Sequence, residues 1–375
     1  MRQLLIVTGT RADFGLWLPV LRAVTEHPDL HPRLLVTAMH LAEGFGDTAR
    51  EVRSAGFEIA AEVPTIPPGD GPEDMARAVG AAIEGIAPVV RRERPDWLLV
   101  LGDRGEQLGA VLAAIHFPVA VAHLAGGDRT LGAVDDSQRD MITRAAHLHF
   151  PGSEAAADRL RRLGEANWRI HMAGSPGLDD LEDLSSRPAA AVLRRYGLPV
   201  EGGHLLILQH PETRASRDAA ADMRETLAAT AAIGRPRLAI LPNTDAGGRA
   251  MAEQLRSAGI PAYASVPRPD FAVLLATAAA LVGNSSAGII EAPLLRVPAV
   301  NIGSRQEGRL QGDNVVDAAP KQRAIEHAIA RAISPEFRAS LSGTSPYGDG
   351  QAAPRLASVI AAQPIDDRLL RKADE

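Results

Sequence analysis

The sequence predicts an α/β protein built from two doubly wound, Rossmann-like domains, and three observations carry that prediction. Short runs rich in Val, Leu and Ile alternate with helix-period segments along the whole chain. Near-continuous apolar runs, unlike alternating ones, mark parallel strands covered on both faces. The alternation stops once, in the polar stretch Asp179–Pro188 (DDLEDLSSRP), and then resumes. A length of 375 residues suits two domains, and 46% hydrophobic residues can fill two cores.

In the first domain, placed at 1–178, buried strands are predicted at Leu4–Thr8, Arg33–Thr37, Trp97–Gly102, Val119–His123 and His147–Phe150. Helices fall between them near Leu16–Glu26, Asp47–Ala55, Glu73–Arg92, Glu106–His116 and Asp136–Ala145. The second domain, 179–352, repeats the plan with strands at Leu205–Gln209, Leu238–Leu241, Ala262–Val266, Ala280–Gly283 and Ala299–Ile302. The remainder, 353–375, reads over Ala353–Leu370 as helix with a proline interruption that can return to the first domain. Open α/β sheets bind ligands beyond the C-terminal ends of their strands. Two such domains are therefore expected to face each other across a cleft, with the chemistry on the loops after the strands.

A net charge of -6 gives no reason to expect nucleic acid or an anionic membrane as partner. The absence of cysteine excludes disulfides, thiolate nucleophiles and Cys-ligated zinc. The opening MRQLLIVTGTRADFG turns polar at Thr8, Arg11 and Asp13, so it reads as a first strand and not as a signal peptide. No stretch approaches the ~18 apolar residues of a membrane span, and the expectation is a cytoplasmic protein. Lysine occurs only as Lys321 and Lys372, with arginine used elsewhere.

The motifs fall at strand ends. Gly9-Thr10-Arg11-Ala12-Asp13-Phe14-Gly15 is a Gly turn before a helix but lacks the GxGxxG spacing, which argues against a nicotinamide cofactor. Arg11 reads either as a bidentate diphosphate ligand or as a solvated loop arginine. Leu101-Gly102-Asp103-Arg104-Gly105-Glu106 places an acid just beyond a buried strand, as a general base or as a helix N-cap. The loop His123-Leu124-Ala125-Gly126-Gly127-Asp128 gathers His123 and Asp128, with Asp135, Asp136 and Arg139 following. Crowded carboxylates repel one another, which raises at least one pKa toward the range useful for proton transfer. Asp135 and Asp136 read alternatively as helix caps. His147 and His149 share a strand face without a third ligand at metal spacing, so they read as structural and no metal site is assigned.

In the second domain His210-Pro211-Glu212-Thr213 leaves a strand end, and Pro242-Asn243-Thr244-Asp245-Ala246-Gly247 leaves another. Gly283-Asn284-Ser285-Ser286-Ala287-Gly288 runs from a strand into a predicted helix with small residues in its first turn. Free N–H groups and the positive dipole end there suit a diphosphate, and Glu291, further along, is spaced to bond a ribose diol. Arg305 and Arg309, after the next strand, are placed to reach the same anion.

Read together, VTGTRADFGL, LGDRGE, HLAGGDRTLGAVDD with Arg139, HFPGSE, AGSPGLD, HPET, PNTDAG, GNSSAGIIEAP and NIGSRQEGR resemble the non-hydrogen-transferring UDP-N-acetylglucosamine 2-epimerases. The resemblance runs in order over nearly the whole chain and is strongest to the hydrolysing branch that serves sialic or legionaminic acid synthesis. It implies the glycosyltransferase-B fold, a nucleotide-sugar substrate, no cofactor and a homodimer. It assigns Asp103 and Asp135 as acid/base carboxylates, and Arg11, His210, Ser285, Ser286 and Glu291 to the nucleotide diphosphate. The sequence departs from the family at Ala125, where an ionisable residue is expected, so Asp128 or His123 must supply that function or the chemistry is altered. Leu16 replaces a lysine of the non-hydrolysing relatives. The implied reaction eliminates the nucleotide to leave a glycal, then hydrates it with inversion at C2. Candidate catalytic residues are thus Asp103, Asp135, Asp128 and His210; candidate binding residues are Arg11, His123, Arg139, Asn284, Ser285, Ser286, Gly288, Glu291, Arg305 and Arg309. A glycosyltransferase of the same fold and a non-catalytic nucleotide-sugar binder stay open, as do UDP or GDP and the identity of the amino sugar.

Overall fold

The computed structural model describes residues 1–42, 48–67, 69, 71–129, 135–212, 218–243 and 245–372. The chain forms two compact units. Met1–Asp128, Asp135–Asp179 and Tyr347 onward make the first; Asp180–Pro346, together with Arg129, make the second.

The first unit is a six-stranded parallel sheet of β1 (Arg2–Thr8), β2 (Leu30–Thr37), β3 (Ile59–Val63), β4 (Trp97–Leu101), β5 (Ala120–Leu124) and β6 (Leu148–Phe150). Its order is β3-β2-β1-β4-β5-β6. The order reverses between β1 and β4, and loops that diverge from such a point leave a crevice at the strand ends. Gly9-Thr10-Arg11 and Gly102-Asp103 leave the sheet there. Both faces are covered, as the apolar runs require. Ile6, Leu99, Leu124 and Phe150 pack under Phe14 and Trp17 on one face, and Leu5, Val100 and Val121 under Ile86, Val111 and Ile142 on the other.

The second unit repeats the plan with β7 (His204–Leu208), β8 (Arg237–Ile240), β9 (Ala262–Tyr263), β10 (Ala278–Gly283), β11 (Ala299–Ile302) and β12 (Val315–Ala318), in the order β12-β11-β10-β7-β8-β9. The reversal now lies between β7 and β10, from which His210 and Asn284 emerge. These doubly wound units have the glycosyltransferase-B type of architecture. Among the described residues no helix is long and apolar enough to cross a membrane.

Two strands lie beyond those read from the sequence, β3 and β12, and each is the outermost of its sheet. Their residues are mostly half-exposed, so they lack the continuous apolar run that betrays an inner strand. The stretch expected as a polar break holds a short helix, Leu181–Ser185, whose Leu181 and Leu184 are buried in the second unit.

The helix Ala352–Ala362 belongs to the first unit, where Leu356 and Ile360 join the core beside Trp17. Its start has no side-chain cap of its own. Asp179 supplies one from outside, with Oδ1 accepting from Ala352 N at 2.9 Å and Oδ2 from Ala353 N at 2.6 Å. A carboxylate on the orphan N–H groups of a helix start satisfies them and complements the dipole. Asp179→Ala is expected to destabilise the first unit by about 1–2 kcal/mol, lowering its melting temperature by about 2–8 °C; an unchanged calorimetric transition would refute the role.

Candidate active site

The loop after β1 is organised around Asp13. Thr10 caps the helix Arg11–Glu26 by accepting from Asp13 N at 3.1 Å, while Asp13 Oδ2 accepts from Gly9 N at 3.0 Å and Thr10 N at 3.2 Å. Thr8 Oγ1 donates to Asp13 Oδ1 at 2.5 Å and lies 3.0 Å from His40 Nε2, and His40 Nδ1 lies 2.9 Å from Thr48 Oγ1. Burial drives the Asp13 carboxyl up to about 7 against these hydrogen bonds, with the charge of Glu106 adding to the rise. Burial lowers His40 to about 4, helped by the Arg11 charge. Arg11 is the first residue of the helix and is ion-paired with Glu51. It is therefore neither a solvated loop arginine nor an unengaged one.

The turn after β4 needs Gly102, whose φ is +81°. Asp103 follows it, and its carboxylate accepts from Arg139. The N-cap position of the next helix falls to Arg104, so the capping alternative for Asp103 is set aside. Arg139, only 1% exposed, also donates to Asp136 Oδ1 at 3.0 Å and to the Asp128 carbonyl at 2.9 Å. A second guanidinium, Arg159, donates to that carbonyl at 3.0 Å and to Asp140 Oδ2 at 2.7 Å, and lies 3.9 Å from Asp136. The crowding of carboxylates expected here is thus relieved by arginines placed between them.

His123 is fully buried. Its Nε2 donates to the Gly102 carbonyl at 2.7 Å, which leaves Nδ1 to accept from Thr143 Oγ1 at 3.2 Å. Burial pushes its pKa down to about 3. His123 and Arg139, both expected at the substrate, hold protein groups here: the histidine supports the Gly102 turn and the arginine supports Asp103. Asp128 is buried beside them. Asp135 heads the helix Asp135–Ala145, and its side chain lies outside the described residues, as do Thr213 and Thr244 of the second-domain motifs. Ala125 has φ +57° and donates its N–H to the Phe150 carbonyl at 3.0 Å.

In the second unit Asn284 locks His210. Its Oδ1 accepts from His210 N at 2.7 Å and its Nδ2 donates to His210 O at 2.9 Å. Both ends of the amide are used on backbone, so Asn284 positions the histidine. His210 Nδ1 accepts from Asn243 N at 3.3 Å, which places the proton of the neutral ring on Nε2. Gly283 permits this approach: a Cβ there would lie 2.1 Å from the Leu208 carbonyl. A pocket is lined by Gln209, His210, Glu212, Asn284 and Ile302, among others.

The helix expected after Ser286 is a single turn, Ala287–Ile290. Four residues carry little macrodipole, and the Ala287 and Gly288 N–H groups already bond Ser285 Oγ at 3.3 Å and Ser285 O at 3.2 Å. Gly288 faces the sheet, where a Cβ would press on Ala299 at 3.1 Å. Glu291 ends the turn, buried, with its carboxyl raised by that burial and the Arg268 charge opposing the rise. Arg268 is itself buried, donating to Asp180 Oδ1 at 3.0 and 2.8 Å. Arg305 donates to the Asn284 carbonyl at 3.2 Å and so joins the His210 group. Arg309 is turned to the Arg129 carbonyl at 2.8 Å and Gln306 Oε1 at 3.1 Å. Sequence reasoning missed Glu212 as an organiser: it accepts from Ser304 N at 2.8 Å and Ser304 Oγ at 2.9 Å, fixing the loop that carries Arg305. It also missed Arg159 and Arg268, since a lone arginine in a helix carries no distinguishing signal.

Residues 22–361 match the profile of the UDP-N-acetylglucosamine 2-epimerases. The chain belongs to that family. It is 32% identical to the UDP-N,N'-diacetylbacillosamine 2-epimerase (hydrolyzing) of Legionella pneumophila over 100% of this chain and 99% of that protein. It is 34% identical to the UDP-N-acetylglucosamine 2-epimerase of Neisseria meningitidis over 89% and 88% of the two chains. The fold of this epimerase-family chain superposes on the Methanocaldococcus jannaschii UDP-GlcNAc 2-epimerase, solved in complex with UDP-GlcNAc and UDP. The TM-score is 0.80 at 17% identity, covering 96% of this chain and 100% of that one.

Buried histidines set the response of this epimerase-family protein to acid. Burial holds His123 at about 3 and His40, His147 and His204 at about 4. Each takes up a proton more readily when unfolded, so stability is lost as pH falls below about 6.5, reaching about 2 kcal/mol per histidine at pH 5. Asp13 acts in the opposite sense, gaining stability as pH falls from about 7 toward 4. The buried histidines, His149 and His171 among them, outnumber the two raised carboxyls, Asp13 and Glu291, and leave a net loss on acidification. Urea unfolding at pH 7 and pH 5 should show a clearly lower midpoint at pH 5; equal midpoints would contradict the assignment.

Proposed function

We propose that the protein is a hydrolysing 2-epimerase of a nucleotide-activated N-acetylamino sugar, releasing a ManNAc-type free sugar and a nucleoside diphosphate. The observation that carries this reading is end-to-end similarity to a hydrolysing 2-epimerase, joined to carboxylates gathered at the strand ends of the first unit. The C2–H of such a sugar is weakly acidic, so its removal must be coupled to departure of the nucleotide from C1. Elimination gives a glycal; water then adds at C1 while a proton is delivered to the opposite face of C2.

Asp103, ion-paired with Arg139, is assigned a proton transfer at C2. Asp135 and Asp128 are the candidates for the opposite face, with Asp128 taking the role that Ala125 cannot. In the second unit His210, with its proton on Nε2, is assigned to the leaving diphosphate together with Ser285, Ser286 and Arg305. Glu291 is assigned to the ribose diol. Arg11 is assigned to the diphosphate only if Glu51 releases it. UDP is the favoured nucleotide, since both named relatives act on UDP sugars. The protein is further read as a cytoplasmic homodimer.

Incubation in heavy water with UDP-N-acetylglucosamine and, separately, UDP-N,N'-diacetylbacillosamine tests the reaction. Free sugar carrying deuterium at C2 and UDP released without an acceptor are expected for one of them. Protium retained at C2 refutes elimination, an acceptor requirement favours a glycosyltransferase, and binding without turnover favours a non-catalytic role. Asp103→Asn is expected to lower kcat by about 10²–10⁴-fold with KM little changed; a kcat near wild type would remove Asp103 from the chemistry.

A further inference from the structure

Behind the histidine that supports Gly102 lies a second group of buried charges that the proposed reaction does not use. His123 and His149 are register partners on β5 and β6, so their side chains leave the sheet on the same face. His149 is fully buried, with Nε2 2.9 Å from Glu165 Oε2. Glu165, also buried, is met by Lys372 Nζ at 2.6 Å. The same ammonium donates to the Thr143 and Arg144 carbonyls, each at 3.1 Å.

Those carbonyls belong to the last turn of the helix Asp135–Ala145. The Thr143 carbonyl also accepts from Ala146 N at 3.2 Å, and a cation at this end of the helix is favoured by its dipole. Lys372 is itself held by its neighbours. Arg169 donates to the Leu369, Arg368 and Arg371 carbonyls at 2.9, 2.9 and 3.1 Å, and Asp366 caps the turn Asp367–Leu370 through Leu369 N at 2.9 Å. From Thr143 the path continues through Oγ1 to His123 Nδ1, and from His123 Nε2 to the carbonyl that precedes Asp103. Each step is either a hydrogen bond or the frame of one residue.

We propose that Lys372 is a positioning residue for Asp103. It fixes the last turn of the helix and the Glu165–His149 pair, and through them the Thr143 hydroxyl, the His123 ring and the Gly102–Asp103 turn. Its removal leaves the buried Glu165 with Arg144, 3.7 Å away and more than half exposed, as its remaining cationic partner, and the surroundings must relax to accommodate the loss. Lys372 touches no reacting atom, and its effect on turnover rests on the reading of Asp103 as a proton-transferring carboxylate.

The test uses the full chain with Lys372→Met, Lys372→Arg, Thr143→Val and the double variant Lys372→Met/Thr143→Val. Lys372→Met is expected to lower kcat about five- to tenfold with KM within about twofold, and Lys372→Arg to recover at least half of the loss. Because both residues act along one path, the double variant should be no slower than the slower single one. Losses that multiply, or a wild-type kcat in Lys372→Met, would overturn the proposal. A readout independent of turnover is the ¹⁵N spectrum of the histidine rings, in which Lys372→Met should shift the His123 signals; unshifted signals refute the relay. Wild-type protein lacking epimerase turnover would instead sink the functional reading and leave the ring signals to decide the relay. If Lys372→Met does not fold, Glu165→Gln, which leaves the ammonium its two carbonyls, puts the same question to the same signals.

Discussion

The site of the first unit depends on one buried cation. A guanidinium that is 1% exposed loses most of its hydration, a cost of several kcal/mol unless acceptors replace the water. For Arg139 the acceptors come from three separate places: Asp103 beyond β4, the Asp128 carbonyl beyond β5, and Asp136 one turn back on its own helix. The requirement that stabilises the arginine therefore also ties those elements together.

The second unit solves the equivalent problem with a neutral group. Gly283 lies in register with Leu208 across β10 and β7, and the Asn284 amide then closes two hydrogen bonds on the backbone of His210. A side-chain amide has no charge for salt to screen and none for pH to change. The same residue's carbonyl holds Arg305 and Gln306. In both units a side chain close to the strand ends sets the position of a neighbour, Arg139 for Asp103 and Asn284 for His210. The reversal of strand order is what opens space beside the strand ends.

How much of this was legible follows from what each signal measures. Inner strands were readable because burial on both faces forces a continuous apolar run, as in Leu4–Thr8 and Ala280–Gly283. β3 and β12 were not, because an edge strand shares its exposure with solvent. Candidate residues at strand ends were readable from position, since a polar residue straight after a buried strand has few other places to be. Their roles were not. Nothing in the sequence says that Arg139 points inward at Asp103, that both ring nitrogens of His123 are consumed by protein, or that Gly288 is small for the sake of Ala299. The helix after Ser286 was overestimated because its small residues fit a helix start equally well when the helix ends after one turn. Lys372 carries no local signal at all; its partners Thr143 and Glu165 lie more than two hundred residues earlier.

Ala125 shows how such a frame constrains what can change. Its positive φ is a conformation that costs a non-glycine residue about 1 kcal/mol, and the backbone is held there by the bond from its N–H to Phe150. Three residues later the Asp128 carbonyl is gripped by both Arg139 and Arg159. The course of this loop is thus set by backbone contacts at either end, with no contribution from a side chain at 125. On the proposed reading the proton passes to Asp128, a residue whose backbone is anchored by two buried guanidiniums.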